Sequence, residues 1–311
     1  MNHFFLCIDD TDDTSKSIGT GEIASHIYNR LTKLGCQMQY NITRHQLLLD
    51  PRIAYTSHNS SMCMEGSGLL PADDIRKVAV DTLNAYRSPI SNPGICLYMT
   101  HPSIQDITVT EQLVSFGLRA KKEVLALEDA VRLAGQIPAI RLKAPAGNGN
   151  GQIGALAGIG LRLHGNDGTF RGKVLVSEPV TETVREMKKR LDIDTIWDGK
   201  ADRVLADDEI VRAIRQIKLV YRNHKPMAAV RLCEDGTYEL CNKAAVYEQT
   251  ITKTIGLMEN CKHFTWDNDT GEQWNETAGS CMNCLHRRLT EQGMVCQRKG
   301  QGGGRKHKNK D

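Results

Sequence analysis

Residues Phe4-Phe5-Leu6-Cys7-Ile8 form an unbroken apolar run that ends in four carboxylates, Asp9, Asp10, Asp12 and Asp13, and no other junction constrains this chain as much. A short apolar run bounded by turn-forming residues reads as a buried strand. Ser15-Lys16-Ser17-Ile18-Gly19-Thr20-Gly21 follows as a small polar loop, after which Ile23, Ile27, Leu31 and Leu34 recur at helical spacing up to Gly35. Strand, loop and helix in that order open an α/β domain. Carboxylates crowded at a strand end repel one another unless a cation or a well-hydrated surface offsets them. Mg²⁺ binds through one or two carboxylates plus water and phosphate oxygens, so it suits this cluster; Asp10 and Asp12, alternate positions on an extended segment, are the expected ligands. A solvated acidic turn is the competing account. The helix beyond the loop would turn free N–H groups and a partial positive charge towards a phosphate. Lys16, Gly19 and Gly21 are then candidate contacts, while Thr20 is a phosphate contact, a phosphoryl acceptor or an N-cap hydroxyl.

The alternation continues. Strands are expected near Phe4 to Ile8, Gln37 to Leu49, Gly94 to Met99 and Ala139 to Lys143, and helices near Gly21 to Leu34, Ala72 to Tyr86, Ile104 to Leu118 and Leu125 to Leu133. Further on, Gly172 to Val176 reads as a strand, Thr181 to Leu191 and Asp207 to Lys218 as helices, and Ala228 to Leu232 with Tyr238 to Cys241 as a hairpin around Glu234-Asp235-Gly236. The fold class is therefore α/β (α+β), with a ferredoxin-like second domain.

Between these parts, Ala146 to Gly160 carries six glycines. Gly149, Gly151 and Gly154 match the GxGxxG spacing of a dinucleotide-binding turn, but the acidic residue expected about twenty positions on is missing in clear strand context. A loop leading into a short helix whose small residues press against a sheet is an equally physical account. The region from Cys261 to Cys296 is poor in apolar residues, and Cys261, Cys281, Cys284 and Cys296 are candidate ligands for Zn²⁺ or an iron–sulfur cluster, against free thiols on an extension.

At 311 residues, 40% hydrophobic and 25% charged, the composition is that of a globular protein with room for two cores. No apolar run reaches the length of a membrane-spanning helix, and no signal-peptide pattern opens the chain. Ten dispersed cysteines in such a chain fit a reducing cytoplasm. The formal charge of +3 does not by itself argue for nucleic acid. The basic tail from Arg298 to Lys310 is expected to be disordered, either lending weak salt-sensitive RNA affinity or solubilising the chain.

Three stretches together resemble the archaeal tRNA-isoleucine 2-agmatinylcytidine synthetases, over roughly residues 1 to 240. IDDTDD with the downstream GTG is similar to that family's IDDTDS and its Gly-Met-Cys-Thr-Thr loop. LDPRIAYTSHN, from Leu49 to Asn59, is similar to its Leu-Asn-Pro-Asn-Ile-Pro-Trp segment ending in Gly-Asn. GNGNGQIGALAGIG is similar to its Gly-Asn-Gly-Arg-Gly-Leu-Ile-Gly-Ala-Leu-Ala-Ala-Ile-Gly. The resemblance implies a kinase-like ATP- and Mg²⁺-binding α/β domain over residues 1–125, a ferredoxin-like domain over 126–243 and a Cys-rich extension over 244–311. It further implies a ligase that uses ATP to activate C2 of a tRNA wobble cytidine for condensation with agmatine. Asp9, Asp10 and Asp12 fall on the acidic motif that holds Mg²⁺ and orients the phosphates, and Thr20 falls near the loop threonine if one residue is inserted here. His58, Asn59, Gly149, Asn150 and Gly151 lie in the other two segments and are candidate nucleotide or substrate contacts. Where the family has Lys and Arg in the second segment this chain has Thr56, Ser57 and His58, so Lys16 or Arg44 would help neutralise phosphate. The family also appends an OB-fold and a zinc ribbon; the roughly seventy residues after the expected ferredoxin-like domain are too few for both, and the cysteine cluster is a candidate replacement for the ribbon although its spacing is not the paired C-x2-C form. Two other classes stay open: an RNA- or partner-binding module that has lost catalysis, and a kinase-like phosphotransferase with another substrate, autophosphorylated on Thr20.

Overall fold

The computed structural model describes residues 2–12, 18–50, 52–53, 59–100, 106–172, 174, 177–213, 217–241, 287–290 and 293–296. The chain divides into two bodies, Met1–Leu48 with Ser60–Gln249, and Leu49–Asn59 with Thr250–Asp311.

The first body opens with β1 (Asn2–Asp9), α1 (Thr20–Lys33), β2 (Gln37–Met38), β3 (Thr43–Gln46), β4 (Ser60–Gly68), α2 (Ala72–Tyr86) and β5 (Gly94–Thr100). β1 lies between β4 and β5, β3 lies outside β4, and every one of these pairings is antiparallel. Strand-helix-strand, strand-helix-strand in the order β5-β1-β4-β3 is the split βαβ arrangement. It occupies the first hundred residues, and not residues 126–243 as expected.

Alternation along β1 sorts the two faces. Phe4, Leu6 and Ile8 join Met62, Met64, Ile95 and Leu97 beneath α1 and α2, which contribute Ile23, Ile27, Leu31, Ile75 and Leu83. Phe5 and Cys7 turn the other way, with Cys63, Cys96 and Tyr98. That second face is covered by α3 (Ile107–Arg119), α4 (Leu127–Gln136) and, after edge strand β6 (Ile140–Lys143), by α5 (Gly151–His164). The expected boundary at 125/126 therefore runs through one continuous core: β6 extends the sheet beyond β5, and Leu156, Ile159 and Leu161 of α5 are buried with Phe5. Each fully buried Leu or Ile contributes about 1.5–3 kcal/mol.

Beyond β7 (Thr169–Phe170), which pairs with β3, come β8 (Val180–Thr183), α6 (Val184–Leu191), β9 (Ile196–Asp198), β10 (Arg203–Val204), β11 (Ile210–Ala213), β12 (Val220–Arg222), β13 (Lys225–Leu232) and β14 (Tyr238–Cys241). They carry a separate core of Val184, Met187, Ile196, Val211, Ile217, Val230 and Leu240. Among the described residues one sheet runs from β6 to β8 through β7 and β12. The class is thus mixed α/β, as expected, and the β13–β14 hairpin forms as read.

Three local expectations change. Gln37 to Leu49 is not one strand, because Tyr40 takes a φ of 57° and separates β2 from β3. The helix expected at 181–191 begins at Val184: Thr183 ends β8 and caps α6, its hydroxyl accepting from Glu186 N while the Glu186 carboxylate accepts from Thr183 N. In place of a helix over 207–218 there is β11, paired with β8 and β14, and Ile217 bridges Val174; cross-strand packing overrides weak helical periodicity. Of the strand expected at Gly172 to Val176, residues 173, 175 and 176 lie outside the described residues.

In the second body, β15 (Arg287–Thr290) and β16 (Gly293–Cys296) form an antiparallel hairpin. Among the described residues no helix is long and apolar enough to cross a membrane.

Candidate functional site

The carboxylates at the end of β1 take three different environments. Asp9 is the last strand residue, opposite Gly94, and is 9% exposed. Its alternation with Cys7 turns it towards α5, where its carboxylate lies against Gly154; a Cβ at that glycine would overlap Asp9 Oδ2. Burial pushes the Asp9 carboxyl well above the usual carboxylate range, and the charges of Asp10 and Asp12 push it further, against a hydrogen bond from the Asp10 backbone.

Asp10 follows the strand with φ 51°, a left-handed conformation that Asp tolerates better than most residues. Asp10 and Asp12 are therefore not alternate residues of one extended segment, and that reason for placing them on one side does not hold. Asp12 Oδ2 accepts from Thr20 N at 3.0 Å and so caps α1 from outside the helix. The N-cap position belongs to Gly19, not Thr20. Thr20 is the buried first residue of α1, its hydroxyl accepting from Thr11 Oγ1 at 3.0 Å. Thr11 is itself buried, and its carbonyl accepts from Ser88 N at 3.0 Å.

Two arginines reach this end of the molecule. Arg44 on β3 is buried, and its Nε donates to Ser60 Oγ at 2.9 Å. Arg171, just after β7, donates from Nε to Ser25 Oγ at 2.6 Å and seats its guanidinium against Gly21 in the first turn of α1. Sequence reasoning misses Arg171, because no spacing rule links it to a helix so far back in the chain.

The glycine-rich segment does another job. Gly149 has φ 88°, and Gly151 N, Gln152 N and Ile153 N already donate to Asn92 O, Gly149 O and Asn150 O. Asn150, in helical conformation at the start of α5, accepts no capping bond through its side chain, and its N–H donates to Asn148 Oδ1. Those amides do not form an open phosphate cradle. Gly151 and Gly154 instead let α5 approach β1 and β5, and Gly158 sits over Cys7 and Ser61. On its other side α5 meets α3 through Gly160 and Gly117. Three interior glycines cost about 3 kcal/mol of helix propensity, which close packing offsets.

A buried polar chain carries no signal in the sequence. Lys121 Nζ donates to Asp167 Oδ2 at 2.5 Å, Asp167 Oδ1 meets His45 Nδ1 at 3.0 Å, and His45 Nε2 meets Thr43 Oγ1 at 2.8 Å. Arg162 continues it, donating to Thr43 Oγ1 at 3.0 Å and to Glu65 Oε2 at 3.2 Å, with its guanidinium 4.3 Å from the Tyr221 ring centroid. Burial lowers the His45 pKa, against the raising effect of its bond to Asp167. Burial alone would raise the Asp167 carboxyl, but His45 and Lys121 outweigh it and hold it at about 2. Thr43 Oγ1, which also donates to Cys63 O at 3.3 Å, is thus shared between His45 and Arg162.

Lys16 and His58 lie outside the described residues, as do Cys261, Cys281 and Cys284; Cys296 ends β16, its backbone opposite Arg287. Asn59 directly precedes β4. Among the described residues no three His, Cys, Asp or Glu side chains converge as a metal cage. Oxygen donors of this kind still fit Mg²⁺, which is held by one or two carboxylates and completes its shell with water and phosphate.

No family model and no curated protein matches the sequence. Among solved structures, the chain is similar to a tRNA fluorescent labeling enzyme at 19% identity and a TM-score of 0.44, over 64% of this chain and 42% of that one. It is also similar to TiaS in complex with an isoleucine tRNA and ATP, at 19% identity and a TM-score of 0.44, over 67% of this chain and 50% of that one. Apo TiaS, an agmatidine synthetase acting on that tRNA, matches at 19% identity and a TM-score of 0.41, over 64% of this chain and 42% of that one. The chain spans half or less of the length of these structures, and the likeness is one of partial fold.

Proposed function

We propose that the chain binds Mg²⁺ and ATP at the acidic end of β1 and uses them to activate an oxygen, on an RNA base such as a tRNA cytidine, for condensation with an amine such as agmatine. The observation that carries this reading is the juxtaposition, at one end of the first sheet, of the Asp9, Asp10 and Asp12 segment, the first turn of α1, and Arg171. Phosphoryl and nucleotidyl transfer are chiefly positioning and charge neutralisation, which is the chemistry such a set performs. A bound Mg²⁺ would neutralise phosphate oxygens there. Asp10 and Asp9 would hold the ion, the charge of Asp9 becoming tolerable once a cation faces it. Asp12 keeps the start of α1 in place through Thr20 N, and Arg44 and Arg171 supply fixed positive charge on the phosphate side. The four cysteines Cys261, Cys281, Cys284 and Cys296 are proposed as a separate structural Zn²⁺ or iron–sulfur site.

The test is product analysis with Mg-ATP alone and then with total tRNA and agmatine, beside the Asp10→Asn variant. We expect AMP release that needs RNA and amine and disappears in the variant, whose circular dichroism and melting temperature stay those of the wild type. ADP alone would mark a kinase-like phosphotransferase, and full turnover in Asp10→Asn would refute the assignment of the site. Salt-sensitive RNA binding without any Mg-dependent nucleotide binding would mark a binding module instead.

A further inference from the structure

Resting on the nucleotide site above, we propose that Arg171 is its phosphate-binding arginine, delivered to the start of α1 by the segment that leaves β7. The residue is held from three directions. Its N–H donates to Ile42 O at 2.8 Å and its carbonyl accepts from Asn41 Nδ2 at 3.0 Å, so its backbone is pinned to the chain just before β3. Its Nε donates to Ser25 Oγ at 2.6 Å, one turn into α1, which sets the plane of the guanidinium. The seat itself exists because position 21 is glycine: a Cβ there would stand 2.6 Å from Arg171 Nη1 and 3.3 Å from Met62 Cε. Arg44 stands on the neighbouring strand, opposite Met62 on one side and Thr169 on the other, so the two arginines flank the same corner of the sheet.

A guanidinium is planar and presents paired N–H donors that match two oxygens of one phosphate, a fit that a lysine ammonium does not reproduce. Pre-set orientation lowers the entropy lost on binding, and Arg171 has its orientation set before any ligand arrives. The ligand class that follows is a polyphosphate, and in this site the nucleotide's own phosphate chain.

The test compares equilibrium binding of Mg-ATP and of adenosine, by calorimetry, to the full-length wild type, Arg171→Met, Arg171→Lys and Gly21→Ala. We expect Arg171→Met to lose about tenfold or more in affinity for Mg-ATP and to keep its adenosine affinity. Arg171→Lys should recover only part of the loss. Gly21→Ala keeps the charge but displaces the guanidinium, so it should weaken Mg-ATP binding too, and the double variant should be no weaker than Arg171→Met. Equal loss of ATP and adenosine would reduce Arg171 to a staple between β7 and α1, and Mg-ATP binding unchanged within about twofold would also overturn the proposal. A wild type that binds no Mg-ATP would refute the nucleotide site itself, an outcome distinct from either.

Discussion

Gly154 distinguishes a ligand-binding glycine motif from a packing one, and alanine at that position tests which it is. In an open helix interior, Gly→Ala stabilises by up to about 1 kcal/mol through helix propensity and a less floppy unfolded chain. Gly135, in the last turn of α4, provides the sterically open reference, since a Cβ there meets nothing within 4 Å. At Gly154 the same methyl overlaps the Asp9 carboxylate and comes within 3.0 Å of Leu47 Cδ1. Inserting one carbon into a packed interior costs about 1–3 kcal/mol, so the net for Gly154→Ala runs from neutral to a loss of about 2 kcal/mol. Urea unfolding of the ligand-free protein at neutral pH should therefore separate Gly135→Ala from Gly154→Ala by about 1–3 kcal/mol, with the former more stable than wild type. Were Gly154 present only to let a phosphate approach, both alanines would stabilise the ligand-free chain alike. Equal stabilities would refute the packing account of the GxGxxG match.

Acidification tests the buried chain from Lys121 to Glu65. The Asp167 carboxyl is held at about 2 against an ordinary 3.8; a depressed carboxylate stabilises the fold above about pH 4 and loses that contribution as pH falls towards about 2, in total about 2 kcal/mol. Unfolding midpoints measured from about pH 5 to about pH 2 should show this acid limb, and it should shrink in Asp167→Asn; an unchanged limb would remove the role given to Asp167. Arg162→Met leaves Glu65 buried with His3 alone, and a loss of about 3–5 kcal/mol is expected, with part regained in the double variant carrying Glu65→Gln. A single variant as stable as wild type would show that the pair does not hold α5.

What can be read ahead divides along range in sequence. β1 and α1 are legible because a buried strand and an amphipathic helix are written within a few residues, and α2 spans Ala72–Tyr86 as its periodicity says. The packing role of the glycines in α5 is legible too, as one of two accounts. Asp10 escapes because nothing local announces a φ of 51° inside an acidic run, and that single torsion breaks the extended alternation with Asp12. β11 reads as a helix because its partners, Val180–Thr183 and Tyr238–Cys241, lie far on either side of it, and a strand's neighbours decide it more than its own propensity. Arg171 and the chain through His45 are products of pairing between β3 and β7, which no window of sequence contains.

Within the proposed site the carboxylates at the end of β1 are held by different parts of the fold. Asp9 is carried by the sheet, Asp12 by its bond to the start of α1, and Asp10 by the turn between them, so three close carboxylates are tied to different elements. Moving Asp12 away would cost its bond from Thr20 N, and moving Asp9 would disturb the end of β1. If the proposed site holds a cation, the ion would offset the like charges there, and more strongly at buried Asp9 than in water. On the proposed reading, the close approach of α5 that Gly154 permits buries Asp9, so the helix-packing glycine and the acidic segment would act together in favouring a cation.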